Sequence, residues 1–362
     1  MGTFIDYLEW RGDLPFEIVP FCEVDAMILS GLIYIDMKGL ADESFEFGDC
    51  SCYSVCHRHI TTQKPADSVE KNIYSIAESV CSAPRFANIK ICGYKDIIDP
   101  GKQQQFAAAT FMLEEGLYFI AFRGTDFTIV GWRENMALAY NEEVPSQKSA
   151  VAYLNEAVQS LKGDFIVGGH SKGGNLAVYA TACSFKKNSK HVKSVYNFDG
   201  PGFNDMVLAK KNFHDIFDKV HTFVPQNSLI GMLLKHEEPY TVIKSTKSSG
   251  ITQHQINSWM VGPTAIEQVN DLTGSTKFVN ESISEWIDSM TYEEKEQFID
   301  IIFGLADDLD TVDDLFSVKN LRMIMKEYSA LDDESKKKVS GVLDSLQESV
   351  VGTIKNRFKD LW

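Results

Sequence analysis

The sequence has little positive charge, no long apolar run and no paired-cysteine framework. Its 35 Lys and Arg stand against 51 Asp and Glu, which gives a net charge of −16. Nucleic-acid binding needs a basic face, so we expect no nucleic-acid partner. No apolar run approaches the ~20 residues of a membrane-spanning helix, so we expect no transmembrane segment. Transient contact with a membrane surface remains compatible with this composition.

The N-terminal stretch MGTFIDYLEWRGDLPF lacks the basic and apolar regions of a signal peptide. The seven cysteines are an odd number and form no recognisable disulfide framework. Together these features predict a cytoplasmic protein with reduced thiols. The cluster CSCYSVCHRH at 50–59 lacks the paired C-x2-C spacing of zinc sites. We therefore expect no bound metal and interpret the cluster as part of a loop.

Runs of β-branched and aromatic residues alternate with segments of helical periodicity through the middle of the chain. Such alternation predicts a mostly parallel sheet covered by helices, and hence an α/β fold. We expect an N-terminal helical and loop extension at 1–68, an α/β core at 69–265 and a helical C-terminal region at 275–362. The predicted strands are 89–93, 106–113, 117–122, 164–168, 194–198, 220–224 and 240–244. The predicted helices include 20–40, 68–82, 147–161, 203–217 and 227–234, and 41–66 is expected to be a loop. In the C-terminal region, Thr291 and Glu294 have the spacing of a capping box.

The stretch DFIVGGHSKGG at 164–174 places a serine where a strand pattern gives way to a helix pattern. Its G-x-S-x-G motif, between strand and helix, is typical of a nucleophile elbow. The glycines on either side of Ser171 allow strand and helix to close up, and the helix N-terminus favours a developing oxyanion. We therefore predict that Ser171 is a nucleophile. The alternatives are a tight turn with an incidental serine or a phosphate-binding loop.

A nucleophilic serine requires a base and a group that orients the base. His254 lies in the loop after the last predicted strand, which favours it as the base; His236 precedes that strand, and His170 adjoins the serine. Asp199 ends the strand SVYNF, at the sheet edge where catalytic groups gather. We predict that Asp199 is the acid. The alternative is that it caps the next helix or forms an Asx turn.

The segments YFIAFRGTDFTIVGWREN and GGHSKGGNLAVYA resemble the class 3, fungal-type lipases. Together with GTFIDYLEWRGDLPF, NFDGPGF and ITQHQINSW they resemble, over most of the chain, an uncharacterised bacterial family of lipase-like α/β-hydrolases. The resemblance implies an α/β-hydrolase fold in which Ser171 is the nucleophile and His254 the base. It further implies that Thr125 and the backbone N–H of Lys172 form the oxyanion hole.

Two positions depart from the class 3 pattern. Those lipases place the acid in a segment that here reads Asn227-Ser228, without a carboxylate. Pancreatic-type lipases place it one strand earlier, as Asp199 stands here. Lys172 occupies a position where an apolar residue is common.

The sequence thus predicts a carboxylic ester hydrolase that needs no metal or cofactor and acts on an ester or lipid-like small molecule. Two alternatives stay open. One is a serine thioesterase or peptidase, because the same three residue types cleave thioesters and amides. The other is a non-catalytic binding or scaffold protein that uses its helical C-terminal region as an interface.

Overall fold

A seven-stranded sheet forms the centre of the computed structural model, which describes residues 2–65, 68–126, 128–248 and 250–297, together with Asp333. The strands are β1 (Lys90–Asp99), β2 (Gln104–Glu114), β3 (Leu117–Phe122), β4 (Asp164–His170), β5 (Val192–Phe198), β6 (Val220–Pro225) and β7 (Tyr240–Ile243). They follow one another across the sheet in chain order. The first three strands are antiparallel, and β3 to β7 are parallel.

Helices cover both faces of this sheet. They are α1 (Phe4–Arg11), α2 (Glu23–Leu32), α3 (Cys52–Thr62), α4 (Ser68–Cys81), α5 (Pro84–Ala87), α6 (Ile129–Ala137), α7 (Pro145–Ser160), α8 (Lys172–Cys183), α9 (Lys186–Ser189), α10 (Asp205–Leu208), α11 (Lys211–His214), α12 (Gly250–Gln253) and α13 (Gly274–Ser289). Along β3, Phe119 packs into the cluster that contains α2, while Ile120 and Phe122 pack into the cluster that contains α7 and α8. Because both faces of the sheet are covered, β3 consists of apolar and aromatic residues only, and most buried positions of β4 to β7 are apolar. The predicted α/β-hydrolase fold is confirmed.

The parallel register brings several strand ends to one edge of the sheet. His170 at the end of β4 pairs with Phe198 at the end of β5, and Phe198 pairs with Phe223 of β6. The segments that follow these strands therefore leave the sheet side by side. In open α/β sheets this carboxyl edge is where ligands bind.

A buried ion pair holds the N-terminal helices together. The guanidinium of Arg85 in α5 donates from Nε and Nη2 to the two carboxylate oxygens of Asp25 in α2, at 2.8 and 2.6 Å. Both side chains are 0% exposed. Arg85 also donates to the carbonyls of Leu14 and Val19, and Tyr7 of α1 donates to Asp25. One charge pair thus fixes the path of the chain from α1 to α5.

The prediction of a loop over 41–66 is wrong in part, because α3 lies within that range. Ser51 caps this helix by accepting a hydrogen bond from the backbone N–H of Ser54 at 3.2 Å. Cys52 and Cys56 face the core, and burial raises the pKa of both thiols. Nowhere among the described residues do three or more His, Cys, Asp or Glu side chains cluster closely enough to hold a metal ion.

The predicted helix over 227–234 is also wrong, because this segment forms a series of turns. Gly231 lies against the carboxylate of Asp199, where an added Cβ would come within 2.1 Å of Oδ1. Leu234 has a φ of +64°, a left-handed conformation that ends a helix. Contacts with the sheet edge therefore override the helical periodicity of the segment.

The C-terminal region is described through residue 297. It contains α13, and the predicted capping box is confirmed by reciprocal bonds: Thr291 N–H to Glu294 Oε2 at 2.8 Å and Glu294 N–H to Thr291 Oγ1 at 3.2 Å. The rest of the helical region predicted for 275–362 lies outside the described residues, apart from Asp333. In the described part of the chain, no helix has the length and apolar character needed to cross a bilayer.

Replacing Arg85 by Met should lower the free energy of unfolding by about 3–5 kcal/mol, because Asp25 would remain buried without its counter-ion. Urea denaturation followed by circular dichroism measures this loss. The matched control is Lys193→Met, which removes an exposed ion pair with Asp164 and should change stability by at most about 1 kcal/mol. Equal effects of the two substitutions would contradict the structural role assigned to Arg85.

Candidate active site

Ser171 forms the turn between β4 and α8. Its backbone has φ +57° and ψ −134°, a conformation that non-glycine residues rarely adopt. A Cβ on Gly169 would lie 2.3 Å from the carbonyl carbon of Gly173, and one on Gly173 would lie 2.1 Å from the carbonyl oxygen of Phe122. Strand and helix therefore approach so closely that only glycine fits on either side of the serine. The serine itself is 8% exposed.

Asp199 and His254 are joined by a hydrogen bond of 2.6 Å between Oδ2 and Nδ1. Asp199 follows β5 with a φ of +53° and is completely buried, while His254 follows α12 in the loop after β7. The helix-cap and turn roles belong to other residues. Asn204 caps α10, and Asn197 Oδ1 accepts the backbone N–H of Gly200 at 2.9 Å.

The two residues at the class 3 acid position support this pair. Ser228 donates its hydroxyl to Oδ1 of Asp199 at 2.5 Å. The backbone N–H of Asn227 donates to Oε1 of Gln253 at 2.9 Å, directly before His254. Asn227 and Ser228 thus fix the acid and the histidine loop relative to each other. Sequence reasoning registered the missing carboxylate here but missed this supporting role.

The structure does not bring Ser171 and His254 into a direct hydrogen bond; the ring of His170 lies beside that of His254 instead, with centroids 4.5 Å apart. His170 Nε2 lies 2.7 Å from the carbonyl oxygen of His254 and therefore donates to it. Nδ1 is then free to accept from the Tyr34 hydroxyl at 3.1 Å. Burial lowers the pKa of His170 well below its ordinary value, in agreement with a neutral ring. No pattern in the sequence indicates this series of hydrogen bonds from Tyr34 through His170 to the backbone of His254.

The segment after β3 runs past the serine. The position of a Cβ on Gly124 would be 3.0 Å from Cβ of Ser171 and 2.2 Å from the Tyr34 hydroxyl oxygen. Next to it, Thr125 Oγ1 accepts from the side-chain amide of Asn135 in α6 at 2.5 Å. This bond leaves the Thr125 hydroxyl hydrogen available to donate to another acceptor. Asn135 is a further residue that sequence reasoning missed.

Lys172 begins α8, so its backbone N–H has no acceptor within the helix. Its side chain leaves the site and is 0% exposed. There Nζ lies 2.9 Å from Oε2 of Glu134 in α6. Burial lowers the pKa of the amine, whereas the charge of Glu134 opposes that shift. The side chain that departs from the class 3 pattern is thus part of a buried ion pair.

A second buried pair holds the segment 226–238 over Asp199. His236 Nδ1 lies 2.7 Å from Oε1 of Glu238, and Nε2 lies 2.5 Å from the carbonyl oxygen of Gly231. Both neighbours accept hydrogen bonds, so the ring is held as an imidazolium. Burial by itself would lower the pKa of His236, but the hydrogen bond and the charge of Glu238 outweigh it, and the pKa is raised.

A family model covers most of the residues described above. The model described as Mbeg1-like matches residues 80–304, more than half of the chain and a range that contains Ser171, Asp199 and His254. The chain belongs to the Mbeg1-like family. No curated protein sequence matches it.

Two crystal structures are similar to this member of the Mbeg1-like family at low identity. For M37 lipase the TM-score is 0.34, with 16% identity over 59% of this chain and 70% of that chain. For a mutant of MDLA from Penicillium cyclopium the TM-score is 0.36, with 17% identity over 61% of this chain and 82% of that chain.

Replacing His236 by Gln should reduce stability most at acidic pH. A raised pKa in the folded state means that the pair stabilises fully below the unfolded pKa of about 6.5, and that this contribution is lost as the pH rises through the folded pKa. The difference in unfolding free energy between wild type and variant should therefore shrink between pH 6 and pH 9. Urea titrations at a series of pH values measure it. His191→Gln, at an exposed histidine, is the control, and a pH-independent difference for His236→Gln would contradict the imidazolium assignment.

Proposed function

We propose that this member of the Mbeg1-like family is a serine hydrolase that cleaves carboxylic esters through an acyl-enzyme on Ser171. The observation that carries the proposal is the 2.6 Å hydrogen bond between His254 Nδ1 and the buried carboxylate of Asp199, next to a strained serine between strand and helix. A histidine that is oriented by a buried carboxylate and lies near the serine of such a turn is the arrangement that activates serine.

In the first half of the reaction, Ser171 Oγ attacks the ester carbonyl carbon while His254 Nε2 takes the hydroxyl proton. The bond from Nδ1 to Asp199 supports this direction, because it places the ring hydrogen on Nδ1 and leaves Nε2 as the acceptor. His254 then returns the proton to the departing alkoxide as the C–O bond breaks. The hydrogen bond between a catalytic serine and its base is often long in the free enzyme and shortens when substrate binds.

In the second half, His254 removes a proton from water, whose oxygen attacks the acyl carbon. The bond between that carbon and Ser171 Oγ then breaks while His254 gives the proton to Oγ, which releases the carboxylic acid and regenerates the serine. The oxyanion of both tetrahedral intermediates would accept from the backbone N–H groups of Thr125 and Lys172 and from the Thr125 hydroxyl. Asn135 supports the last role, because it donates to the Thr125 oxygen and leaves the hydroxyl hydrogen for the oxyanion. Preorganised donors of this kind contribute about 10²–10³ each in rate.

The proposed substrate class is esters of lipid-like small molecules, supported by the resemblance of the elbow and the FRGT segment to lipases. The chemistry described needs no cofactor or metal.

Treatment with a fluorophosphonate should add one phosphonyl group to wild type, because an activated serine attacks phosphorus and expels fluoride. Intact-mass spectrometry should show no adduct on Ser171→Ala and greatly slowed labelling of His254→Ala. Ser189→Ala, at a serine whose hydroxyl is exposed, should label like wild type.

The outcome that contradicts the proposal is a well-folded wild type that stays unlabelled both in buffer and with detergent micelles. That result would favour the non-catalytic binding protein. Labelling of the serine without turnover of any ester in a panel of short to long acyl chains would favour the thioesterase or peptidase.

Replacing Asp199 by Asn should lower kcat for ester hydrolysis by about 10⁴-fold, because an amide in this position favours the wrong imidazole tautomer. Steady-state kinetics with a chromogenic ester measures the effect. The control is Asp205→Asn, at an exposed carboxylate paired with Lys235, which should retain the wild-type kcat. A small loss for Asp199→Asn would exclude this residue as the acid.

A further inference from the structure

The ammonium group of Lys172 has three protein acceptors for its three hydrogens. Nζ lies 2.7 Å from the carbonyl oxygen of Gln105, 2.8 Å from Gln105 Oε1 and 2.9 Å from Glu134 Oε2. The side chain is 0% exposed. With every donor engaged away from solvent, this amine has no hydrogen to offer a substrate. Its role must therefore act through the residues that it holds.

The carboxylate of Glu134 accepts two further hydrogen bonds. Its Oε2 also accepts the backbone N–H of Gln105 at 3.0 Å, and Oε1 accepts the backbone N–H of Ser146 at 2.7 Å. Gln105 is the second residue of β2, and Ser146 lies in the first turn of α7. The pair of Lys172 and Glu134 thus joins α8, α6, β2 and α7 at one buried point.

Both partners of Lys172, Gln105 and Glu134, are connected by hydrogen bonds or chain neighbours to the segment that contains Thr125. Gln105 Nε2 donates to the carbonyl oxygen of Gly124 at 3.4 Å. Glu134 directly precedes Asn135, whose amide donates to Thr125 Oγ1 at 2.5 Å. The Thr125 segment, Gly124-Thr125, is therefore held on one side by Gln105 and on the other by Asn135. Lys172 fixes Gln105 directly and Asn135 through its neighbour Glu134. The backbone of Lys172 is itself the second proposed oxyanion donor.

We propose that Lys172 is a positioning residue whose buried ion pair with Glu134 fixes the Thr125 segment against the elbow, so that both oxyanion donors converge on the same point. This inference rests on the proposed function. Stability alone gives no reason for such a pair, because well-packed apolar side chains of similar volume are often as stable or more so. Donors that stabilise a transition state must be held in place before the reaction, and four elements joined by one charge pair meet that requirement.

The informative variant is K172M/E134L, which replaces the pair by apolar side chains of similar volume. Either single substitution would leave an uncompensated buried charge and is expected to destabilise the protein strongly. The double variant should fold, as judged by circular dichroism and thermal unfolding. Its kcat for ester hydrolysis should fall by about 10²-fold, as for loss of one oxyanion donor, while KM should change little.

The matched control is R85M/D25L, which removes another buried ion pair, distant in the fold, among the N-terminal helices. That control should keep the wild-type kcat. Unchanged kcat in K172M/E134L, or an equal loss in the control, would overturn the positioning role.

A double-mutant cycle with T125V tests whether the pair acts through Thr125. If it does, the triple variant K172M/E134L/T125V should have a kcat little lower than that of the less active of K172M/E134L and T125V. Effects that multiply would overturn the proposal. Wild-type protein that neither labels with fluorophosphonate nor turns over esters would overturn the proposed function, and the positioning role with it. Wild-type turnover combined with a fully active K172M/E134L variant would overturn the positioning role alone.

Discussion

The close approach of β3, β4 and α8 around Ser171 is the constraint on which the rest of the site depends. The carbonyl of Phe122 occupies the space that a side chain at Gly173 would need, and Gly124 has no room for one between Ser171 and Tyr34. Because no side chain separates these backbones, the segment after β3 runs directly past the serine. A wider junction would leave the proposed oxyanion donors of Thr125 too far away to act on a group bound to Ser171.

In the described part of this acidic protein several titratable side chains are buried in pairs, and four of these pairs hold the N-terminal helices and the sheet edge. The pairs are Arg85 with Asp25, Lys172 with Glu134, His236 with Glu238, and His254 with Asp199. A buried charge without a partner would be strongly unfavourable, so each pair fixes the relative position of the elements that supply it. The last three pairs surround the sheet edge where Ser171 lies. Polar interactions therefore determine the geometry of this edge, while apolar packing determines the sheet.

Much of the fold was predictable because strand signals are local. The seven predicted strands correspond to β1–β7, and the helix over 68–82 corresponds to α4. The pairing of Asp199 with His254 follows from their places after parallel strands. The contacts that sequence reasoning missed join distant residues without any periodic pattern, as Tyr34 and His170 do across 136 positions. Periodicity also failed at 227–234, where the contact of Gly231 with Asp199 decides the backbone conformation.

Ser228, which follows β6, explains why Asp199 is the one carboxylate at this point of the sheet edge. Ser228 Oγ lies 2.5 Å from Asp199 Oδ1 and donates to it. A carboxylate in place of Ser228 would set two negative charges within hydrogen-bonding distance, and one of them would have to take up a proton. A carboxylate after β5 therefore favours a hydrogen-bond donor after β6. If the carboxylate followed β6 instead, the same argument would favour a donor after β5. On this argument, the absence of an acid at Asn227-Ser228 is what an aspartate at 199 requires.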